Sequence, residues 1–467
     1  MRFLSALTPR WFCGALLLLT AAVSHARADV VGRDGKIHVT YWEKWVSFEG
    51  VAMQTVIDAF NASQDRIVVD YFPVSQIDHK TLIATAGGDP PDVAGLWVQN
   101  IATFADAEAL WPLDEFIQSD GMTTEAWLAR YYPIFAKICS YRGHVYAGIS
   151  TPAVIAFNWN RTLFREAGLD PDRPPRNLAE LEEFSRKLTK RNPKTGALTQ
   201  VGFLPQEPGW WPWIFADWFG GELFDGHAIT CGTDPHVLAM MKWVAGVSKT
   251  YGADDLQTFA SGFSGQLLSA QSSFMNGKVA MVFAGVWMDN YIHQYKPGLD
   301  YAAGPWPEAA PGITDFAMAE SDVLTIPRGA KNPHAAWEFI KYANTANLHA
   351  QSREQLQGIE LTCFLQDKTS PLREWSPYFT QHHPHPFIKV FRALSASPHA
   401  VCVPQMGIWQ EYHREFTAAF EDVRLLHKTP EQALQYCQAR MSASWSQYLL
   451  SLERHHQISP QVPAPTP

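Results

Sequence analysis

Residues 36–97 alternate between two periodicities, and that alternation limits the folds open to the chain more than any other feature. "KIHVTYWEKW", from Lys36, reads as a β-branched strand ending in an aromatic and charged cluster. Beyond it Met53, Val56, Ile57 and Phe60 recur at i, i+3, i+4, i+7, the apolar stripe of one helix face. "RIVVDYFPV" is the next strand, "DHKTLIATA" a helix, and "GGDPPDVAGLW" a Gly/Pro turn into a third strand. Strand and helix in this order predict right-handed crossovers and a largely parallel sheet. In such sheets ligands sit beyond the carboxyl ends of the strands. Tyr41–Trp45 and Leu96–Asn100 are both expected at that edge.

Ahead of the first strand, Arg2 and Arg10 precede an apolar run from Trp11 to Val23 and the small-residue pattern Ala26-Arg27-Ala28. This is the arrangement of a secretory signal peptide over 1–28, cleaved before Asp29. The run falls short of the roughly 20 residues that span a bilayer. The chain is therefore expected to be exported and soluble. Loss of 1–28 removes three arginines and no acid, moving the net charge from −9 to −12. Without a Lys/Arg block, such a chain offers no footprint for nucleic acid or an anionic membrane. Five cysteines remain, Cys139, Cys231, Cys363, Cys402 and Cys437, too few and too widely spaced for a compact disulfide framework. A single Cys363–Cys402 bridge and five buried thiols both stay open.

A second α/β region begins near "TPAVIAFNWNRTLFREAGL". "NLAELEEFSRKLTKRNPKTG" is a helix with Leu181, Phe184, Ser185 and Leu188 on one face, and "NPHAAWEFIKYAN" and "TPEQALQYCQARMSASW" are later helices. The proline-rich end, "ISPQVPAPTP", is read as a flexible tail, 458–467. In "LPQEPGWWPWIFADWFGGELFD" Pro212 marks a helix start and Gly220-Gly221 its stop, with Phe215, Trp218 and Phe219 in the core. Glu207, Trp210 and Trp211 precede that helix on a loop, where binding residues concentrate. "HHPHP", from His382, is read as an exposed loop and not as a metal site. No zinc-protease helix, nucleophile elbow or phosphate-binding loop occurs, and neither a catalytic residue nor a cofactor is expected.

"YWEKWVSFEGVAMQTVIDAFNA", "TAGGDPPDVAGLW", "IAFNWNRTLFREAGLDPDRPPRNLAELEEFSRKL", "SSFMNGKVAMVFAGVW" and "VLTIPRGAKNPHAAWEFIKYAN" occur in one order along the chain. In that order they resemble the extracellular solute-binding proteins of family 1, the substrate-binding components of carbohydrate ABC importers. "QEPGWWPWIFADWFGG" and "VPQMGIWQEYHREFTAAFED" are further similar to maltose-binding members. The resemblance implies an α/β, two-lobed periplasmic binding protein fold of type II with the ligand cleft between the lobes. It places 29–153 with 313–350 in an N-terminal lobe and 154–312 with 351–457 in a C-terminal lobe. Crossovers are expected near Thr151–Phe157, near Pro311–Asp315 and after Asn344. The implied partners are a small solute and membrane permease subunits, the protein itself being a periplasmic monomer.

A pyranose has a rim of hydroxyls and less polar C–H faces, so flat indoles and carboxylates or amides suit it. Glu43 and Trp45 leave the first strand at its carboxyl end; Trp97, Gln99 and Asn100 close the third. The competing reading of Glu43 is an ion pair with Lys44. From the resemblance, Glu207 faces sugar hydroxyls beside Trp210 and Trp211, and Trp287 stacks on sugar. Asp289 stands two residues on, with a helix cap as its alternative role. Glu320 is placed by the second crossover, and Trp409 reaches the cleft from the C-terminal helices. A polyamine, peptide or glycerol-phosphodiester in the same cleft, or a glycoside hydrolase using two of the glutamates, are the alternatives to a neutral sugar.

Overall fold

The computed structural model describes residues 29–458. The expected signal peptide, 1–28, and residues 459–467 of the expected tail lie outside them. Among the described residues twelve strands occur in chain order: β1 (Ile37–Glu43), β2 (Ile67–Pro73), β3 (Val93–Trp97), β4 (Ser140–Tyr141), β5 (His144–Val145), β6 (Gly148–Asn160), β7 (Lys190–Arg191), β8 (Leu198–Phe203), β9 (Val279–Gly285), β10 (Tyr301–Gly304), β11 (Ala317–Thr325) and β12 (Ala400–Val401). The main sheet runs β2-β1-β3-β11-β6-β9-β8-β7, with β10 beside β6 and β12 beside β11.

The expected alternation at the start of the chain is present: β1, a helix Ser47–Ser63, β2, a helix Ile77–Ala86, β3. Met53, Val56, Ile57 and Phe60 are the buried apolar face of the first of these helices, together with Ala52. β1 pairs with β2 and with β3 in parallel, as do β8 and β9. The expectation of a largely parallel sheet fails in the middle. There β11 pairs antiparallel with both β3 and β6, and β6 antiparallel with β9 and β10. The reason is connectivity, because β6 and β11 are long strands that run through both halves of the sheet and do not close βαβ units within either.

β6 is buried at all 13 positions, and a strand covered on both faces has no alternation to display. It changes partner along its length, pairing with β11 over Gly148–Ile155 and with β9 over Ile155–Trp159. The expected first crossover, Thr151–Phe157, falls on this change. The second, Pro311–Asp315, immediately precedes β11, and the third follows the helix Pro333–Ala343.

The segment 351–457, expected in the C-terminal lobe, divides. Its helix Gly358–Leu365 packs on the helices Ser47–Ser63 and Pro333–Ala343 and on β6. The cause is a tight return, in which Ile359 N–H donates to the Thr345 carbonyl (2.9 Å). Gly358 adopts φ +49°, and a Cβ there would lie 2.3 Å from the Tyr342 carbonyl oxygen, so only glycine fits. The helices Trp409–Arg424 and Pro430–Ile458 pack on each other and on Pro235–Tyr251.

The expected helix from Pro212 is reduced to Ile214–Trp218. Phe215, Trp218 and Phe219 are buried in the core as expected, and the Trp218 indole donates to the Pro307 carbonyl (2.6 Å). Leu181, Phe184, Ser185 and Leu188 are the buried face of the helix Leu178–Leu188. All five cysteines are buried and free. The Cys363–Cys402 bridge does not form, and Cys363 Sγ contacts the Thr369 carbonyl (3.4 Å). His385, expected in an exposed loop, is buried, its Nδ1 accepting the Phe387 N–H (3.0 Å). Burial holds its pKa down at about 3, which keeps the ring neutral.

Candidate functional site: a divided interlobe cleft

β1 alternates inward and outward, so Val39, Tyr41 and Glu43 share one buried face. That periodicity carries Glu43 beneath the strand end and away from the surface. Its carboxylate accepts from the Tyr41 hydroxyl (2.7 Å) and from the Lys44 ammonium (3.0 Å). It fills the space over Gly95, where a Cβ would lie 2.0 Å from Glu43 Oε2. Lys44 also reaches Asp322 Oδ1 on β11 (3.0 Å) and the Gly95 carbonyl (3.2 Å). Burial raises the Glu43 carboxyl pKa despite Lys44. Burial also pulls the Lys44 ammonium down, yet Asp322 and Glu43 together hold it above the ordinary lysine value. The acid–base–acid triad ties β1, β3 and β11 together under the cleft. Removing one member of such a buried group is costly because the others stay buried without it.

Above this floor lies a cavity of about 220 Å³. Trp45, Trp97, Trp210, Trp211, Trp287 and Glu320 all line it, so half of the twelve expected residues converge there. The Trp45 indole donates to Asp322 Oδ2 (3.0 Å), the oxygen that also accepts from the Thr151 hydroxyl. Lys44 lies 4.8 Å from the Trp97 ring centre, a cation–π contact. Across the cavity, Trp210 meets Trp211 edge to face (5.3 Å between ring centres) and tilts against Trp287 (5.9 Å). Tyr291 continues this wall and touches Phe48 of the opposite side at 5.7 Å.

A second cavity, of about 240 Å³, adjoins the first. Gln99 and Trp409 line it, with Trp213, Gln410 and His413. Trp210, Trp211 and Glu320 line both. β11 passes from one to the other, presenting Met318–Glu320 to the second and Glu320–Asp322 to the first. Glu320 therefore stands at the junction. Burial, then repulsion from Asp322, pushes its pKa up to about 7, against weaker opposing pulls from the Trp211 indole, Lys368 and Lys44. Glu49 has Lys368 as a partner at 2.9 Å and Asp322 has Lys44 at 3.0 Å. Glu320 has no ion-pair partner among the described residues.

Four expected residues lie outside both cavities. Glu43 is the ion-pair partner of Lys44 described above. Asn100 closes the end of β3, its Oδ1 accepting the Trp97 N–H (3.2 Å). Glu207 is buried on the far side of the tryptophan loop, where it accepts from the Ser273 hydroxyl (2.8 Å) and lines a smaller cavity with Thr417 and Phe420. Burial raises its pKa to about 7. Asp289, in the first turn of the helix Met288–Tyr295, is buried and accepts from the Tyr301 hydroxyl (2.6 Å).

The sequence reasoning missed Glu49, Thr151, Asp322, Tyr291 and Lys368, which line the first cavity. Asp322 and Thr151 were within reach, because each lies two residues along a strand from a lining position, Glu320 and Ala153. Lys368 comes from an irregular turn after Leu365 and carries no periodic signal. Among the described residues, no helix is long and apolar enough to cross a membrane.

The family model for bacterial extracellular solute-binding proteins matches residues 49–347. The chain is 22% identical over 317 residues to a maltotriose-binding protein of Pyrococcus abyssi, 67% of this chain and 63% of that one. It is 24% identical over 246 residues to the sn-glycerol-3-phosphate-binding periplasmic protein UgpB of Yersinia enterocolitica, half of each. The chain thus spans less than two thirds of these curated relatives. Among solved structures, CpMnBP1 with mannotriose bound superposes with a TM-score of 0.71 at 26% identity, over 86% of this chain and 99% of that one. UgpB from Mycobacterium tuberculosis with glycerophosphocholine superposes at 0.68 and 18% identity, over 89% and 100%. The fold is the two-lobed periplasmic binding fold with its cleft between the lobes, and the chain belongs to the bacterial extracellular solute-binding proteins.

Proposed function

We propose that the chain is the substrate-binding component of an ABC importer and that it carries a neutral oligosaccharide of at least two sugar units. The observation that carries this reading is the pair of adjoining cavities, about 220 and 240 Å³, joined by Trp210, Trp211 and Glu320. Indoles cover the C–H faces of two successive rings, and each has only two side-chain torsions to freeze. Carboxylates at the rim accept from hydroxyls, and Glu320, with no ion-pair partner, is the acceptor placed at the bond between the rings. A micromolar affinity needs about −8 kcal/mol, which a few stacked indoles and charge-assisted hydrogen bonds supply.

The lobes divide at β6 and β11 in this reading, with 29–153 and 313–350 on one side and 154–312 and most of 351–457 on the other. Ligand bridging Trp45 and Trp97 on one side to Trp210 and Trp287 on the other favours the closed form by its differential affinity. The closed protein, a periplasmic monomer without a cofactor or catalytic step, then meets the permease. The relative named for binding glycerol-3-phosphate and the neighbour holding glycerophosphocholine raise the rival of a glycerol phosphate ester. Against it stand three carboxylates, Glu49, Asp322 and Glu320, facing Lys368 and a Lys44 already bonded twice, whereas a phosphate calls for free cations or helix N-termini. Tryptophan fluorescence titrated with manno- and malto-oligosaccharides, glycerophosphocholine and spermidine tests the reading. A saturable response to oligosaccharide, lost in Trp287→Ala, supports it; a response to glycerophosphocholine alone overturns the ligand class.

A further inference from the structure

Away from the cleft wall, Asp289, His293 and Asp367 bring one ligand atom each to within 4.8 Å of one another. Asp289 and His293 lie one turn apart on the helix Met288–Tyr295, and the Nδ1 of His293 is 3.2 Å from Asp289 Oδ2. Asp367 arrives from the turn after Leu365 with φ +51°. The two segments are already joined where the Asn290 side chain donates to the Gln366 carbonyl (2.7 Å).

Asp289 is only 2% exposed. Its Oδ1 is taken by the Tyr301 hydroxyl, but Oδ2 has no hydrogen-bond partner, the His293 ring standing close to it without hydrogen-bond geometry. A buried carboxylate oxygen left open beside an imidazole and a second carboxylate is an arrangement that a cation completes.

We infer that Asp289, His293 and Asp367 form a binding site for a divalent metal ion of the zinc class. One imidazole nitrogen with two carboxylate oxygens is a donor set for zinc rather than for calcium or magnesium, which take oxygen ligands alone. The 3.2 Å separation between Asp289 and His293 is close to the edge of a tetrahedron with roughly 2.1 Å metal–ligand bonds, about 3.4 Å. Small side-chain rotations bring in Asp367. His293, 64% exposed, leaves a way in and room for water as the fourth ligand. The ion would tie the helix that follows Trp287 to the turn that carries Lys368, and so fix the spacing of two cleft-lining residues.

The test is equilibrium competition of Zn²⁺ between a chromophoric chelator and the untagged chain, with thermal unfolding followed in parallel. The variants are His293→Ala, Asp367→Asn and, as a control for the neighbouring histidine loop, His382→Ala. His293 is exposed, and asparagine tolerates the left-handed backbone at 367, so both site variants are expected to fold. One zinc per chain, a higher Tm with zinc, and at least tenfold weaker binding in each site variant but not in His382→Ala is the expected result. No stoichiometric zinc binding, equal binding in wild type and both site variants, or binding of Ca²⁺ in preference to Zn²⁺ would each overturn the assignment.

Discussion

Replacing Glu320 by glutamine separates what the cleft gains in binding from what it loses in stability. In the ligand-free protein, burial and Asp322 raise this carboxyl from the ordinary 4.5 to about 7. A rise of that size corresponds to about 3 kcal/mol against the ionised form. Because the folded value lies above the unfolded one, the native state holds the extra proton between about pH 4.5 and 7. Its contribution to stability is therefore present at low pH and lost as pH rises through 7. Glu320→Gln carries no such charge. At pH 8 the ligand-free variant is expected to be more stable by up to about 3 kcal/mol, or about 3–4 °C in Tm for a chain of this length. At pH 4.5 the two proteins should match. In the proposed oligosaccharide complex binding moves the opposite way, because sugar hydroxyls would donate to the carboxylate. Wild-type affinity should rise roughly tenfold from pH 6 to 8 as Glu320 ionises, and the variant should bind about tenfold to a hundredfold more weakly at pH 8 without that slope. Scanning fluorimetry and isothermal titration between pH 4.5 and 8 read both quantities. A variant less stable than wild type at pH 8, or a wild-type affinity flat across the range, would refute the placement of Glu320 as an ionisable acceptor in the cleft.

Trp287→Ala removes a half-buried indole packed on Trp210 and Tyr291; loss of about 1.5–3 kcal/mol of contact predicts roughly tenfold to hundredfold weaker binding in the same titration. Lys44→Met leaves Glu43 and Asp322 buried without their shared cation. It should lower unfolding free energy by about 3–5 kcal/mol in a denaturant titration, an effect that Glu43→Gln in the same chain partly reverses. Gln99→Ala alters only the second cavity, so calorimetry should show about twofold to tenfold weaker binding of a trisaccharide and no change for a monosaccharide.

The order of strands and helices was legible because each element carries its own period, as in the stripe from Met53 to Phe60 or the face from Leu181 to Leu188. The direction of the middle strands was not. β6 is covered on both faces, and no local pattern states which neighbour a uniformly apolar strand will choose. In the cleft, aromatic residues at strand ends and in the loop before the short helix were the reliable pointers, and Trp45, Trp97, Trp210, Trp211 and Trp287 share one cavity. The carboxylates were harder. Glu43 follows the inward positions of β1 and so turns under the sheet, a consequence of period two that motif position obscured. Glu207 lies in the tryptophan loop but faces Ser273, on the reverse of the wall that its neighbours Trp210 and Trp211 form. Lys368, the partner of Glu49, arrives from a turn with no repeating pattern, and only the folded chain brings it 319 positions back to the first helix.

The most direct test of the central claim is calorimetric titration of the protein with a length series of one saccharide, from mono- to trisaccharide, beside glycerophosphocholine. Two indole-lined compartments joined at Glu320 predict one site per chain, micromolar or tighter affinity for the di- or trisaccharide, and at least tenfold weaker binding of the monosaccharide. Equal affinity for every length, or heat released with glycerophosphocholine alone, would contradict it.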